Sequence, residues 1–271
     1  LDYLRSLTIH EDDQLIISVG GTDSDNFPAT IGSGDANNND AFVANWTLES
    51  GQLVESRLFG GNDYEEFFSV GVYGDQIFIA GVNEGTNGYS TTSFTGAYNQ
   101  SSSGGGLDGL IIELDLDLDE VWSSYFGGDG DDYSYEITIN EDNGTLYLFG
   151  FTDTDSYSVT DCDAPADSGF PSCAPVGAEH YDFANGGTPE SGSFDFFIAE
   201  FNSGKELVWS TFFGGPDTDY ISSNDSKGHL LINPVDKGEV TILGYTDGFE
   251  GFPENEDFSA YYQDFGYDGG I

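Results

Sequence analysis

Val121-Trp122-Ser123-Ser124-Tyr125-Phe126-Gly127-Gly128, then Asp132-Tyr133, then Leu148-Phe149-Gly150-Phe151-Thr152, is the stretch on which the fold turns, because the chain repeats it. Phe-Gly-Gly recurs as Phe59-Gly60-Gly61, Phe126-Gly127-Gly128 and Phe213-Gly214-Gly215. Asp-Tyr follows each, as Asp63-Tyr64, Asp132-Tyr133 and Asp219-Tyr220, and a further copy stands at Asp2-Tyr3. Next comes an apolar run closing on glycine, at Gly20, Gly81, Gly150 and Gly244. Asp and Gly are 18 residues apart in the first three units and 25 apart in the fourth. Internal periodicity of this kind outranks local propensity as a guide to architecture.

Another marker is an aspartate heading an apolar run: Asp40-Ala-Phe-Val-Ala, Asp108-Gly-Leu-Ile-Ile, Asp195-Phe-Phe-Ile-Ala and the shorter Asp268-Gly-Gly-Ile271. Its distance to the next Phe-Gly-Gly is 18 or 19 residues, whereas the distance from the closing Gly to this Asp varies. Constant spans joined by variable ones are strands joined by loops. Alternation such as Tyr135-Glu-Ile-Thr-Ile139, the turn dipeptide Asn143-Gly144 and the absence of helical periodicity give four short antiparallel strands per unit. The expected class is therefore all-β. The expected architecture is a β-propeller of four-stranded blades, about three and a half of them, in one repeat region over 1–271. The units run approximately 1–61, 62–128, 129–215 and 216–271, the last incomplete, with 154–193 as an insertion loop.

The residues Val121-Trp-Ser-Ser-Tyr-Phe-Gly-Gly128 with Leu148-Phe-Gly-Phe-Thr152, and Val208-Trp-Ser-Thr-Phe-Phe-Gly-Gly215 with Gly244-Tyr-Thr246 and Phe252-Pro253, resemble the SBBP repeat. So does Asn26-Phe27-Pro28 with Asp40-Ala-Phe-Val-Ala44. That repeat is the seven-bladed beta-propeller repeat of secreted and surface-attached bacterial proteins. The resemblance covers nearly the whole chain apart from the cysteine-bearing insertion. It implies a propeller and supplies no catalytic motif. An incomplete fourth unit leaves unpaired strand edges. These are expected to be completed by further repeats of the same polypeptide, or alternatively by strands from another protein chain.

Asp+Glu number 50 against 5 Lys+Arg, for a formal charge of -45. Five basic residues build no patch that neutralises phosphate, which argues against nucleic acid and against anionic membrane surfaces as partners. The charge does not signal disorder, since 15% of the chain is aromatic and the acids alternate with apolar residues. A folded body under an acidic skin is the reading, one whose self-repulsion salt screens. Cys162 and Cys173 flank a turn-rich loop with two prolines and a glycine. They read as a disulfide, and with it an oxidising, extracellular compartment.

Gly128-Asp129-Gly130-Asp131-Asp132 crowds three carboxylates onto a glycine-rich turn, which makes Asp129, Asp131 and Asp132 the candidate calcium ligands. The competing reading is that such aspartates cap turns through backbone N–H groups. Leu114-Asp-Leu-Asp-Leu-Asp-Glu120 reads as a strand with a solvated acidic edge. The histidines, His10, His180 and His229, share no metal-ligand spacing and read as solvated loop residues. No nucleophile elbow, phosphate loop or zinc-protease motif occurs, so no catalytic residue and no certain cofactor is assigned. The loops 24–39, 84–106, 154–193 and 248–267 are the candidate binding surface. The function expected is non-enzymatic: an extracellular or cell-surface structural protein in adhesion, scaffolding or filament assembly. The alternative is a glycan-binding or glycan-active domain that uses those loops on surface glycans.

Overall fold

The computed structural model describes residues 1–32, 38–60, 63–84, 89–154, 162, 169–173 and 194–212, with the backbone alone of 157–159, 213, 219–220, 229–232, 240–243 and 245–246. No helix occurs among them, and the fold is all-β. Each of the first three units is one antiparallel sheet whose strands follow chain order. Sheet A holds β1 (Asp2–His10), β2 (Leu15–Thr22), β3 (Asp40–Thr47) and β4 (Leu53–Phe59). Sheet B holds β5 (Glu65–Tyr73), β6 (Gln76–Glu84), β7 (Leu107–Leu114) and β8 (Glu120–Phe126). Sheet C holds β9 (Asp132–Asn140), β10 (Thr145–Thr152), β13 (Asp195–Phe201) and β14 (Leu207–Phe213). In the insertion, β11 (Tyr157–Val159) and β12 (Phe170–Ser172) pair in parallel. The fourth unit contributes β15 (Asp219–Tyr220), β16 (His229–Ile232), β17 (Val240–Leu243) and β18 (Tyr245–Thr246). Their pairings, β15 with β18 and β16 with β17, are those of a first hairpin.

The closing glycines mark a bulge that recurs in every sheet. Arg5, Phe68 and Tyr135 are the extra residues of the first strands, and they sit opposite Gly20, Gly81 and Gly150. The bulge drives a first-strand carbonyl, of Tyr3, Glu66 or Tyr133, into the space where a Cβ would stand. The three bulged side chains meet from sheet to sheet. The Arg5 guanidinium lies 6.0 Å from the Phe68 ring centre, and Phe68 stacks on Tyr135 at 5.1 Å.

Register also shows a difference in the second unit. The β5–β6 turn has two residues, where the β1–β2 and β9–β10 turns have four. With Gly81 as reference, the places of Asp2-Tyr3 and Asp132-Tyr133 are taken by Glu65-Glu66, and Asp63 lies two residues ahead of β5.

The sheets stack face to face, β5 lying against β1, β2 and β3, and β9 against β5, β6 and β7. Three apolar layers result, and they are one layer repeated. Ile17, Val19, Ala41 and Val43 of sheet A face sheet B, and Phe78, Ala80 and Ile111 of sheet B face sheet C. Tyr147, Phe149, Phe196 and Ile198 of sheet C occupy the same positions. The long loops return to the fourth strands and cover their outer edges. Ile31 bridges Arg57, the Ser123 N–H donates to the Thr92 carbonyl at 2.9 Å, and Cys173 bridges Ser210. Covering an exposed edge in this way blocks strand addition. The Cys162–Cys173 disulfide, with Cα atoms 5.4 Å apart, staples the third of these loops.

Two expectations change here. His10 ends β1 and is buried, not solvated. Its Nδ1 accepts from the Asp13 N–H at 3.3 Å, which leaves the proton on Nε2, 3.0 Å from the Gly74 carbonyl oxygen. The acidic run after Leu114 is a turn rather than a strand edge. Within it Leu118 takes a positive φ of 58° and plugs the layer between sheets A and B, because burying an isobutyl group outweighs the backbone cost. The described parts of the loops 24–39, 84–106 and 154–193 run along fourth strands with many side chains exposed, Asp25, Asn26, Phe94 and Ser101 among them; loop 248–267 lies outside the described residues.

Candidate functional site

The most distinctive polar feature is a row crossing one end of each sheet. Strand register aligns Asp2, Thr22 and Asp40 in sheet A, Glu65, Asn83 and Asp108 in sheet B, and Asp132, Thr152 and Asp195 in sheet C. Each row reads acid, neutral polar, acid. Apart from Asp2, every member is buried. In the fourth unit Asp219 pairs with Thr246 in the same way.

Hydrogen bonds explain the residue types. Thr22 Oγ1 donates to the Asp2 carboxylate, and Asn83 Nδ2 donates to Glu65 Oε1 at 2.6 Å. Asn83 accepts in turn from the Tyr125 hydroxyl at 3.0 Å. Asp132 accepts from the Gly128 N–H at 2.7 Å and from Thr154 Oγ1 at 3.2 Å. Asp108 accepts from the N–H groups of Gly104 and Gly105, at 3.0 and 3.3 Å. A carboxylate at a strand start thus ties down the incoming loop, and a hydroxyl or amide beside it links the next strand.

Burial works against the charge of these groups. It pushes Asp132 up to about 7, against the pull of its Thr152 and Gly128 donors and with a further push from Asp108. It pushes Asp108 up to about 6 despite two backbone donors. Both residues are 0% exposed, so they can hold a proton near neutrality but present no surface to a solute. Their protonation is linked to stability. A folded-state pKa above the unfolded one means that stability is full at low pH and is lost as the unfolded carboxyl ionises first. Asp132→Asn is therefore expected to flatten the decline between about pH 4 and pH 7, by at most about 4 kcal/mol, the equivalent of roughly three pKa units. Urea titrations of wild type and variant across that range measure it. Parallel curves would remove Asp132 as the cause.

The candidate calcium ligands do not converge. Asp132 is committed as described, Asp131 Oδ1 accepts from the Leu107 N–H at 3.0 Å, and Asp129 is exposed. Among the described residues, the His/Cys/Asp/Glu group whose ligand atoms lie within 4.8 Å of one another is instead His10, Asp13 and Asp75, where both ring nitrogens already have backbone partners.

The Phe-Gly-Gly motifs belong to the same end of the sheets. Phe59 is buried against Phe67 and the loop residue Tyr89, with ring centres 5.1 and 6.3 Å away. Phe126 is buried against Phe197 and the loop residue Phe170, at 5.5 and 5.3 Å. Each thus meets an aromatic that the next unit's long loop delivers. A Cβ on Gly127 would fall 2.7 Å from Asp132 Cγ, and one on Gly60 would strike the Asp40 carboxylate. Phe213 pairs with Phe196 on the backbone, and Gly61, Gly214 and Gly215 lie outside the described residues. Asp219 is described in backbone only.

The sequence reading missed Thr22, Asn83 and Thr152 as partners of the strand-heading acids. The recurring Thr after the closing Gly was the visible signal in two of the three. No family model matches the chain, and no curated protein matches it.

Proposed function

We propose that the chain is a β-propeller segment of the SBBP type, a non-enzymatic bacterial protein working outside the cell as a scaffold in adhesion or in the assembly of a surface structure. The observation that carries this reading is the repetition of one inter-sheet contact set: bulge on bulge, apolar row on apolar row, Phe-Gly-Gly phenylalanine on loop aromatic. The first strand of each following sheet lies across the sheet before it, β5 on β1, β2 and β3 and β9 on β5, β6 and β7, a packing that suits blades placed face to face around an axis. The disulfide fits an oxidising compartment, and the -45 charge fits a saline exterior where counterions screen it. The two acids pushed upward by burial, Asp108 and Asp132, are fully buried and committed to strand ends, which accords with a structural role.

A glycan-directed role would draw on the long loops, whose described parts line the fourth strands and keep side chains such as Phe94 exposed. The discriminating measurement is incubation of the protein with a panel of surface polysaccharides, followed by assay of new reducing ends and of retention on the immobilised polymers. The expected result is no new reducing ends at any pH from 5 to 8. Turnover of any polymer would replace the scaffold reading with the enzymatic one.

A further inference from the structure

The outward face of sheet A is the counterpart, position by position, of a face that is buried elsewhere. Sheet B meets sheet A through Phe67, Val70 and Val72 on β5. Register from the closing glycines puts Leu4, Leu7 and Ile9 of β1 in those same places. Phe67 is 0% and Val70 7% exposed, whereas Leu4, Leu7 and Ile9 are 55%, 54% and 45% exposed. Scattered apolar residues on a surface need no explanation, but three large ones in a row on one strand do. Phe27 extends the match. It packs on Phe42 at 4.8 Å as Phe170 packs on Phe197 at 4.9 Å, and Phe170 is the residue that receives Phe126 from the preceding unit.

We propose that this face is an inter-sheet interface whose occupant is one more unit of the same repeat in the same polypeptide, seated on sheet A as sheet A is seated on sheet B. Resting on the propeller reading, this assignment names the partner that the reading leaves open. The manner of joining argues for the same polypeptide rather than a separate partner. Both covered faces, that of sheet B and that of sheet C, are covered by the unit preceding in the chain. The step from the Phe-Gly-Gly phenylalanine to the acid heading the next first strand is constant at six residues, Phe59 to Glu65 and Phe126 to Asp132. The occupant places its own phenylalanine on Phe27 by the same step.

The test adds a unit at native spacing. Residues 62–130 placed directly ahead of Leu1 set a phenylalanine six residues before Asp2. Hydrogen exchange of the β1 amides is compared with that in 1–271 alone, together with Leu7→Glu in both chains and Val70→Glu in 1–271. Slowing of β1 exchange by at least about tenfold on extension is expected. Leu7→Glu is expected to leave the melting of 1–271 unchanged and to lower that of the longer chain, while Val70→Glu lowers that of 1–271. The proposal is overturned if Leu7→Glu already destabilises monomeric 1–271, because the face is then covered from within. It is equally overturned if 1–271 self-associates with β1 protected, because a second copy is then the occupant. An added unit that gains β-sheet signal and melts cooperatively without protecting β1 removes this interface and leaves the propeller reading standing. An added unit that gains no β-sheet signal removes both.

Discussion

Gly150→Ala is expected to cost about 3 kcal/mol or more and to lower Tm by roughly 10 °C, or to abolish cooperative melting. The added methyl would overlap the Tyr133 carbonyl oxygen, and it would lie 2.6 Å from two atoms of the Phe197 ring. Neither can yield. The carbonyl belongs to the bulge in β9, whose register holds Asp132 opposite Thr152, and Phe197 is wedged among Phe126, Phe170 and the layer between sheets B and C. Relief would require straightening the bulge, which would shift the first strand by one residue and turn its core face outward. Gly204→Ala is the control. That glycine lies in an exposed turn where a Cβ meets only the flexible Asn202 side chain at 3.1 Å, and its change is expected to stay within about 0.5 kcal/mol. Thermal and urea unfolding followed by circular dichroism measure both. A Gly150→Ala protein that melts with wild type would show that the bulge does not constrain the fold.

Lys205→Ala is expected to cost about 3–5 kcal/mol. Lys205 stands in the β13–β14 turn of sheet C and reaches across to Glu113 on β7 of sheet B, Nζ to Oε2 2.7 Å. The two side chains are 7% and 2% exposed, and the ammonium also lies 4.5 Å from the Phe94 ring centre. Truncating the lysine leaves a buried carboxylate with the Gln76 amide as its remaining side-chain donor. Among the described residues the other basic side chains are engaged elsewhere, Arg5 with Glu66 and Arg57 with the Leu118 carbonyl, so neither replaces it. Replacing both partners together, Lys205→Met with Glu113→Leu, is expected to recover most of the loss, since neither charge then has to be desolvated. Salt separates this pair from the surface. Raising NaCl to 2 M screens exposed charges over a few ångströms but reaches a buried pair weakly, so the deficit of the single variant should persist. A deficit that vanishes in high salt would mean that the bridge behaves as an exposed one.

Much of this architecture was legible in the order of residues. The two-residue alternation, the turn dipeptides and the 18-residue spans marked the strands, and the loop between Cys162 and Cys173 marked the disulfide. The second unit shows where such reading stops. Asp63-Tyr64 stands 18 residues before Gly81, as Asp2-Tyr3 stands before Gly20, yet the shorter β5–β6 turn slides the register by two and brings Glu65 opposite Asn83. A period-two strand keeps the same face inward after a slip of two, so the alternation pattern carries no trace of it. Likewise, Asp129, Asp131 and Asp132 form one acidic run in the sequence, but each points along a different path once a turn separates them. The recurring Asp-Tyr pair marks Asp132 as a repeat position, but that it is buried while Asp129 is exposed is decided by the fold.

By itself, the amino-acid order determined the strands, their grouping in fours and the places where the backbone must be glycine, because these depend on side chains and turns close together along the chain. The tertiary structure alone decided which acids are buried, which loop covers which edge, and that Leu4, Leu7 and Ile9 are exposed while their counterparts on β5 are packed. Those outcomes depend on how one sheet lies on the next, and burial of apolar area between sheets is a property of the stack that no single unit possesses.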